Sequence, residues 1–179
     1  EARIQMAPRW SPQSDRIAYV ADVDGVLQVF TRSVGSSTPT QITHEPESAL
    51  PPFWSADGSR IYYRTGVMPV SRIRSVAVAG GAAETLVERV IQAALSPDGK
   101  QLAVVLTVDG GSQIYLLNAD GSNRRRLMTS SGIDTEPNFA PDGQSIYFTS
   151  DRGGSPQIYR VGVGGGEATR ITFEGNYNV

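Results

Sequence analysis

Few side chains able to do covalent chemistry occur in this 179-residue chain. It has one histidine, His44, and no cysteine, which excludes a thiolate nucleophile, a disulfide framework and a cysteine-ligated metal site. A Ser-His-Asp relay would have to run through His44, and no Gly-x-Ser-x-Gly elbow supplies its serine. His44 therefore reads as a surface loop residue. Asp22-Val23-Asp24-Gly25 begins like a calcium loop, but the twelfth position, where a bidentate glutamate belongs, is Ser33. A hairpin turn suits it better. Gly164-Gly165-Gly166 is followed by neither a helical pattern nor Lys-Ser/Thr, so it is no phosphate loop. Arg124-Arg125-Arg126 lacks the interleaved aromatics of a base-stacking platform and reads as a solvated edge strand, with a patch for an acidic partner as the alternative. A formal charge of −2 points to no nucleic-acid partner. No apolar run is long enough for membrane insertion. The expectation is a protein without catalytic residues, metal or cofactor, whose function is binding.

The elements that would position a binding surface come from an internal repeat. Large apolar residues open four units at Trp10, Trp54, Leu95 and Phe139, spaced 44, 41 and 44 residues apart. Seven residues after each opener stands Ile17, Ile61, Leu102 or Ile146. Val29, Ile73, Ile114 or Ile158 lies at offset nineteen, and Ile42, Leu86, Leu127 or Ile171 at offset thirty-two. All variation in length falls in the connections between units. Such matched offsets mark stacked repeats of one supersecondary unit.

Within each unit, short β-branched and aromatic runs alternate with turn signals. Ile17-Ala18-Tyr19-Val20, Ile61-Tyr62-Tyr63, Leu102-Ala103-Val104-Val105 and Ile146-Tyr147-Phe148 read as strands. Ser55-Ala56-Asp57-Gly58, Ser96-Pro97-Asp98-Gly99 and Ala140-Pro141-Asp142-Gly143 precede three of them, with glycine available for the positive φ of a tight turn. The first unit reads Ser11-Pro12-Gln13-Ser14, which predicts a different turn there. The run from Ala82 to Ala94 has helical local propensity, but it aligns with strands of the other units and is read as strand. The predicted fold is all-β, a β-propeller of four four-stranded antiparallel blades over about 7–48, 49–92, 93–135 and 136–179 within one domain. Trp10 and Trp54 share a repeat position with Leu95 and Phe139, which places them in the core between blades. Four complete units leave two solutions: a small closed ring, or a half-ring whose exposed edges pair with a second copy into an eight-bladed homodimer.

The residues from Trp10, Pro12 and Ile17, and most clearly the run from Phe139 through Gly154, resemble the PD40 (WD40-like) repeat of the TolB-type β-propeller family. From about residue 94 onward, Gly111-Ser112-Gln113-Ile114-Tyr115, Asp134-Thr135-Glu136-Pro137 and Arg170-Ile171-Thr172-Phe173-Glu174-Gly175-Asn176 are similar to the TolB propeller proper. Residues 1–93 are more similar to generic PD40 sensor modules, which leaves a recombined or engineered chimera open. The resemblance implies a periplasmic bacterial propeller that docks a Pal-like lipoprotein at one mouth of its channel. Set beside that family, the chain has four repeats rather than six and lacks the N-terminal α/β domain, so contact with TolA is not implied. It begins at Glu1 without a signal-like run and reads as a processed or excised piece.

Function in propellers sits on loops leading into the innermost strands, here Glu45 to Pro51, Arg89 to Ala93, Ser130 to Pro137 and Glu174 to Val179. The resemblance assigns partner binding to Asp134, Thr135 and Glu136, extended by Glu174, Asn176 and Tyr177. The alternative is that these residues cap strand starts and satisfy loop backbone. Two further readings stay open: a sensor or gating propeller of a kinase or prolyl-oligopeptidase-like enzyme whose catalytic domain lies elsewhere, and an assembly fragment without selected function.

Overall fold

Sixteen strands and no helix occur among the described residues, 5–68, 70–108 and 111–174, of a computed structural model. The strands form four antiparallel sheets of four, each in simple meander order. The first sheet holds β1 (Gln5–Trp10), β2 (Arg16–Val23), β3 (Val26–Ser33) and β4 (Thr40–Gln41). The second holds β5 (Phe53–Trp54), β6 (Arg60–Thr65), β7 (Arg72–Ala77) and β8 (Glu84–Glu88). Then come β9 (Val90–Leu95), β10 (Gln101–Val108), β11 (Gly111–Asn118) and β12 (Arg125–Arg126). The last sheet contains β13 (Asp134–Phe139), β14 (Ser145–Ser150), β15 (Gln157–Gly162) and β16 (Thr169–Arg170). These are the propeller blades that the repeat predicts. The third and fourth begin a few residues ahead of the divisions drawn from the repeat. The helical-looking run is strand, because β8 pairs with β7 and β9 with β10.

Alternation of side chains across the strands gives the blades apolar faces, and the two blades within each unit bury them together. The chain divides into two compact units, Glu1–Glu88 and Arg89–Val179. In the first, Val20, Val29 and Ile42 of the first blade pack with Trp54, Ile61 and Tyr63 of the second. In the second, Val105, Ile114 and Leu127 pack with Ile146, Phe148 and Tyr159, and Phe139 lies against this cluster.

Two details depart from the sequence reading. Trp54 is buried, whereas Trp10 is 61% exposed. Trp54 packs on the first blade and donates its Nε1–H to Arg9 O at 3.0 Å, whereas Trp10 stands outside that core cluster. The first-unit turn also keeps the common geometry without glycine. Ser14 N–H donates to Ser11 O at 2.9 Å, as Gly58, Gly99 and Gly143 do to their own partners. Ser14 takes φ 57° to do so. The Asp24-Gly25 segment is a two-residue hairpin closing Val23 against Val26, with both residues at positive φ.

Candidate partner-docking site

In each unit the loop that connects its two blades lies against a β-hairpin turn of the blade that follows it. In the second unit this loop runs from β12 to β13. Ile133 N–H donates to Asp151 Oδ1 at 2.7 Å, and Gln113 Nε2 to Gly132 O at 3.2 Å. The loop thus joins the third blade's β11 to the β14–β15 turn.

Asp134 opens β13 and has no solvent exposure. Its Oδ1 accepts from Arg152 Nη2 at 2.8 Å and Ser130 Oγ at 3.2 Å, while Oδ2 has no hydrogen-bond partner. Arg152 lies over the rings of Phe148 and Tyr159, at 5.2 and 4.9 Å, and its Nε donates to Ser150 Oγ at 2.9 Å. A buried carboxylate survives because of this guanidinium. Asp134 accordingly fixes the strand start from inside and offers no surface to a partner.

Glu136 has the opposite character. It sits in a β-bulge, where the β13–β14 register slips between Thr135 and Asn138, and takes φ 55° just before Pro137. Ala7-Pro8 makes the same bulge in β1, with φ 55° at Ala7. Such bulges redirect a side chain at a strand end. The Glu136 amide donates to Gln92 Oε1 at 2.7 Å, and its Oε2 accepts from Thr149 Oγ1 at 2.9 Å. The residue is exposed, with its carboxylate held in one orientation. Thr135 is half-buried beside it, and Glu174 is exposed. Asn176 and Tyr177 lie outside the described residues.

The first unit has its own version of this surface. The loop between β4 and β5 is tied to both blades, since Ala49 N–H donates to Leu27 O at 2.8 Å and Leu50 N–H to Arg64 O at 2.7 Å. Glu45 on this loop is buried, receives Arg74 Nη1 on both oxygens at 2.7 and 2.6 Å, and accepts from the Tyr63 hydroxyl at 2.5 Å. Burial, and next the neighbouring Glu45 carboxylate, push the Tyr63 hydroxyl above its ordinary pKa of 10.0. Sequence reasoning placed Glu45 only at a loop end. It also missed a clasp that repeats at matched offsets. Gln28 Oε1 accepts from Thr43 Oγ1, and Gln157 Oε1 from Thr172 Oγ1, at 2.8 and 2.7 Å. The Gln–Thr recurrence eighteen and thirty-three residues after Trp10 and Phe139 was the available signal.

At the other end of the blades, the Asp-Gly turns hold their own carboxylates, and Gln13 Nε2 of the first blade donates to Asp57 O at 2.9 Å. The Ser55 hydroxyl, then the Ser59 amide and hydroxyl, hold Asp57 down to about 2. Ser96 and Lys100 lower Asp98 in the same way. These carboxylates are occupied in turn geometry. His44 is exposed on its loop, with Nδ1 3.2 Å from Gln41 Nε2. Arg125 and Arg126 form an exposed edge strand. Among the described residues no three His, Asp or Glu side chains gather as a metal site.

Comparison with known proteins gives this geometry a context. The PD40 family, described as the TolB beta propeller domain, matches residues 86–179. The Tol-Pal system protein TolB of Bordetella pertussis is 45% identical over 159 residues, which is 87% of this chain and 36% of that protein. The alignment therefore reaches into both units, and the chain spans little more than a third of that relative's length. Among solved structures, TolB from Acinetobacter baumannii aligns with a TM-score of 0.74 and 31% identity, covering 92% of this chain and 43% of that one. A puromycin-hydrolyzing peptidase from Mycobacterium tuberculosis reaches a TM-score of 0.75 at 18% identity, over 95% of this chain and 29% of its own. At that identity the likeness is one of fold alone.

Proposed function

Because the chain belongs to the TolB β-propeller (PD40) family, we propose that it is a non-catalytic docking module that binds a Pal-like lipoprotein in the bacterial periplasm. The observation that carries the reading is the bulge at Glu136: an exposed carboxylate that accepts from Thr149, on backbone held by Gln92, at a strand start that the buried Asp134–Arg152 pair anchors. A charge held in one orientation before binding costs little ordering entropy on association. Thr135 and Glu174 extend the contact, joined by Asn176 and Tyr177, and Asp134 acts by positioning. The mouth loops carry the specificity, as loops on a rigid scaffold commonly do. The name of the relatives, Tol-Pal system protein, supports this choice of partner. Lack of a second histidine and of any cysteine supports the non-catalytic part.

Isothermal titration with a purified Pal-like lipoprotein domain tests the proposal. Saturable binding is expected, weakened at least tenfold, about 1.4 kcal/mol, by Glu136→Arg. Equal affinity for the variant would remove this surface from the binding site, and no binding heat at all would remove the partner.

A further inference from the structure

The same repeat position is filled in one unit and left open in the other. In the second unit Arg125, at offset thirty from Leu95, donates from Nη2 to Val163 O, at offset twenty-four from Phe139 in the next blade. A guanidinium of one blade thus caps a turn carbonyl of its neighbour. The matching residues of the first unit are Thr40 and Val78. Threonine is too short to cross between blades, and among the described residues no donor reaches Val78 O. A cleft of about 510 Å³ lies here between the first two blades, within the size range of small-ligand sites. Trp54, Ser59, Val78 and Ala79 line it from the second blade, and Asp15 and Arg16 from the first.

Charge separates the two units in the same sense. At offset five the first blade carries Asp15, where the third carries Lys100. The turns of the second and third blades place their acidic residue two positions earlier, at Asp57 and Asp98, and consume it internally through a serine hydroxyl and a backbone amide. In the first blade Gln13 holds that earlier position and crosses to Asp57 O, so Ser11 Oγ donates instead to Asp15 Oδ1 at 2.8 Å. Asp15 Oδ2 has no hydrogen bond among the described residues, since Arg16 Nε stands 3.8 Å away, beyond hydrogen-bond reach. The cleft therefore combines an uncapped carbonyl with a half-used carboxylate, and both accept.

We propose that this cleft binds the side chain of an arginine from outside the chain, its guanidinium donating to Val78 O as Arg125 does to Val163 O, with the Asp15 carboxylate as counter-ion. The planar fork of a guanidinium serves a carbonyl and a carboxylate together, whereas a lysine ammonium acts as a point charge. Its aliphatic stem packs on apolar surface of Trp54 and Ala79. Arg16 competes for Asp15 and weakens the site without filling it. The cleft belongs to the Asp-Gly turn end of the first unit and is independent of the lipoprotein reading.

Amide NMR spectra of the chain, titrated with a blocked Gly-Arg-Gly peptide, test this. Saturable shifts are expected at Ser59, Val78 and Ala79, with the citrulline and lysine peptides at least tenfold weaker. Thr40→Arg supplies the missing guanidinium from within and should weaken peptide binding at least tenfold. Thr40 is exposed on a two-residue strand, so circular dichroism of this variant should match the wild type. Asp15→Asn keeps the acceptor for Ser11 but loses the charge, and should also weaken binding, whereas Arg16→Gln should tighten it. Free arginine separates the sources: tighter binding than the blocked peptide assigns the site to the amino acid, and weaker binding assigns it to a protein segment. No saturable shift at these amides, equal binding of the citrulline peptide, or an affinity that both Thr40→Arg and Asp15→Asn leave unchanged would overturn the proposal.

Discussion

Replacing Arg152 by methionine should destabilise the second unit far more than loss of an exposed arginine would. Asp134 has no solvent exposure, and the Arg152 side chain is 18% exposed, so water screens the pair little. With charge centres about 4 Å apart and an effective dielectric of about 20, their attraction is about 4 kcal/mol. Removing one member of a buried pair strands the other charge and costs about 3–5 kcal/mol. Losing the guanidinium from the Phe148 and Tyr159 rings adds about 0.5–1 kcal/mol each, part of which methionine sulfur returns against the same rings. We expect Arg152→Met to cost about 3–5 kcal/mol in urea unfolding followed by circular dichroism. The double variant Asp134→Asn/Arg152→Met removes both charges and should cost about 1–2 kcal/mol, less than Arg152→Met alone. A single-variant cost under about 1 kcal/mol, or a double variant as costly as the sum of both singles, would refute the assignment of Asp134 as an internal anchor.

Three further expectations concern the same chain. Ser14→Gly should stabilise it by about 0.5–1 kcal/mol, because a left-handed serine costs about 1–2 kcal/mol and the added chain entropy of glycine returns about 0.5–1 kcal/mol; a thermal melt reads the gain. Gly165→Ala should destabilise by about 2 kcal/mol or more, since φ there is +89° and a Cβ would stand 2.5 Å from the Leu127 carbonyl oxygen; unchanged urea midpoints would contradict it. Tyr63 binds its proton more tightly folded than unfolded, so its contribution is complete below pH 10 and fades as pH rises above that value. Tyr63→Phe should flatten that alkaline decline in stability, and an unchanged alkaline slope would count against the buried Tyr63–Glu45 hydrogen bond.

Much of the architecture was legible because strands in a repeat leave marks at fixed offsets. Ile17, Ile61, Leu102 and Ile146 each fall in the second strand of a sheet, and the alignment correctly overrode helical propensity around Leu86. What escaped depends on contacts between segments. Trp10 and Trp54 share an offset, but burial depends on the side chains packed around each, which the pattern of one residue type does not supply. Ser14 looked unable to make the glycine turn, yet hydrogen bonding of the shared backbone outweighs the cost of its φ. Asp134 and Glu136 stand two residues apart, and period-two alternation alone would put them on one face. The bulge separates their roles: Asp134 turns in toward Arg152, and Glu136 is redirected to solvent. Glu45 joins Arg74 and Tyr63 from twenty-nine and eighteen residues away, a distance over which sequence spacing gives no signal.

Hydrogen–deuterium exchange of the chain with and without a Pal-like lipoprotein domain addresses the docking surface at peptide resolution. Protection is expected across 128–137 and 171–174, with the Asp-Gly turns at 55–58 and 140–143 unchanged. Protection confined to those turns, with the segment around Glu136 exchanging freely in the complex, would put the partner at the wrong end of the blades and contradict the account.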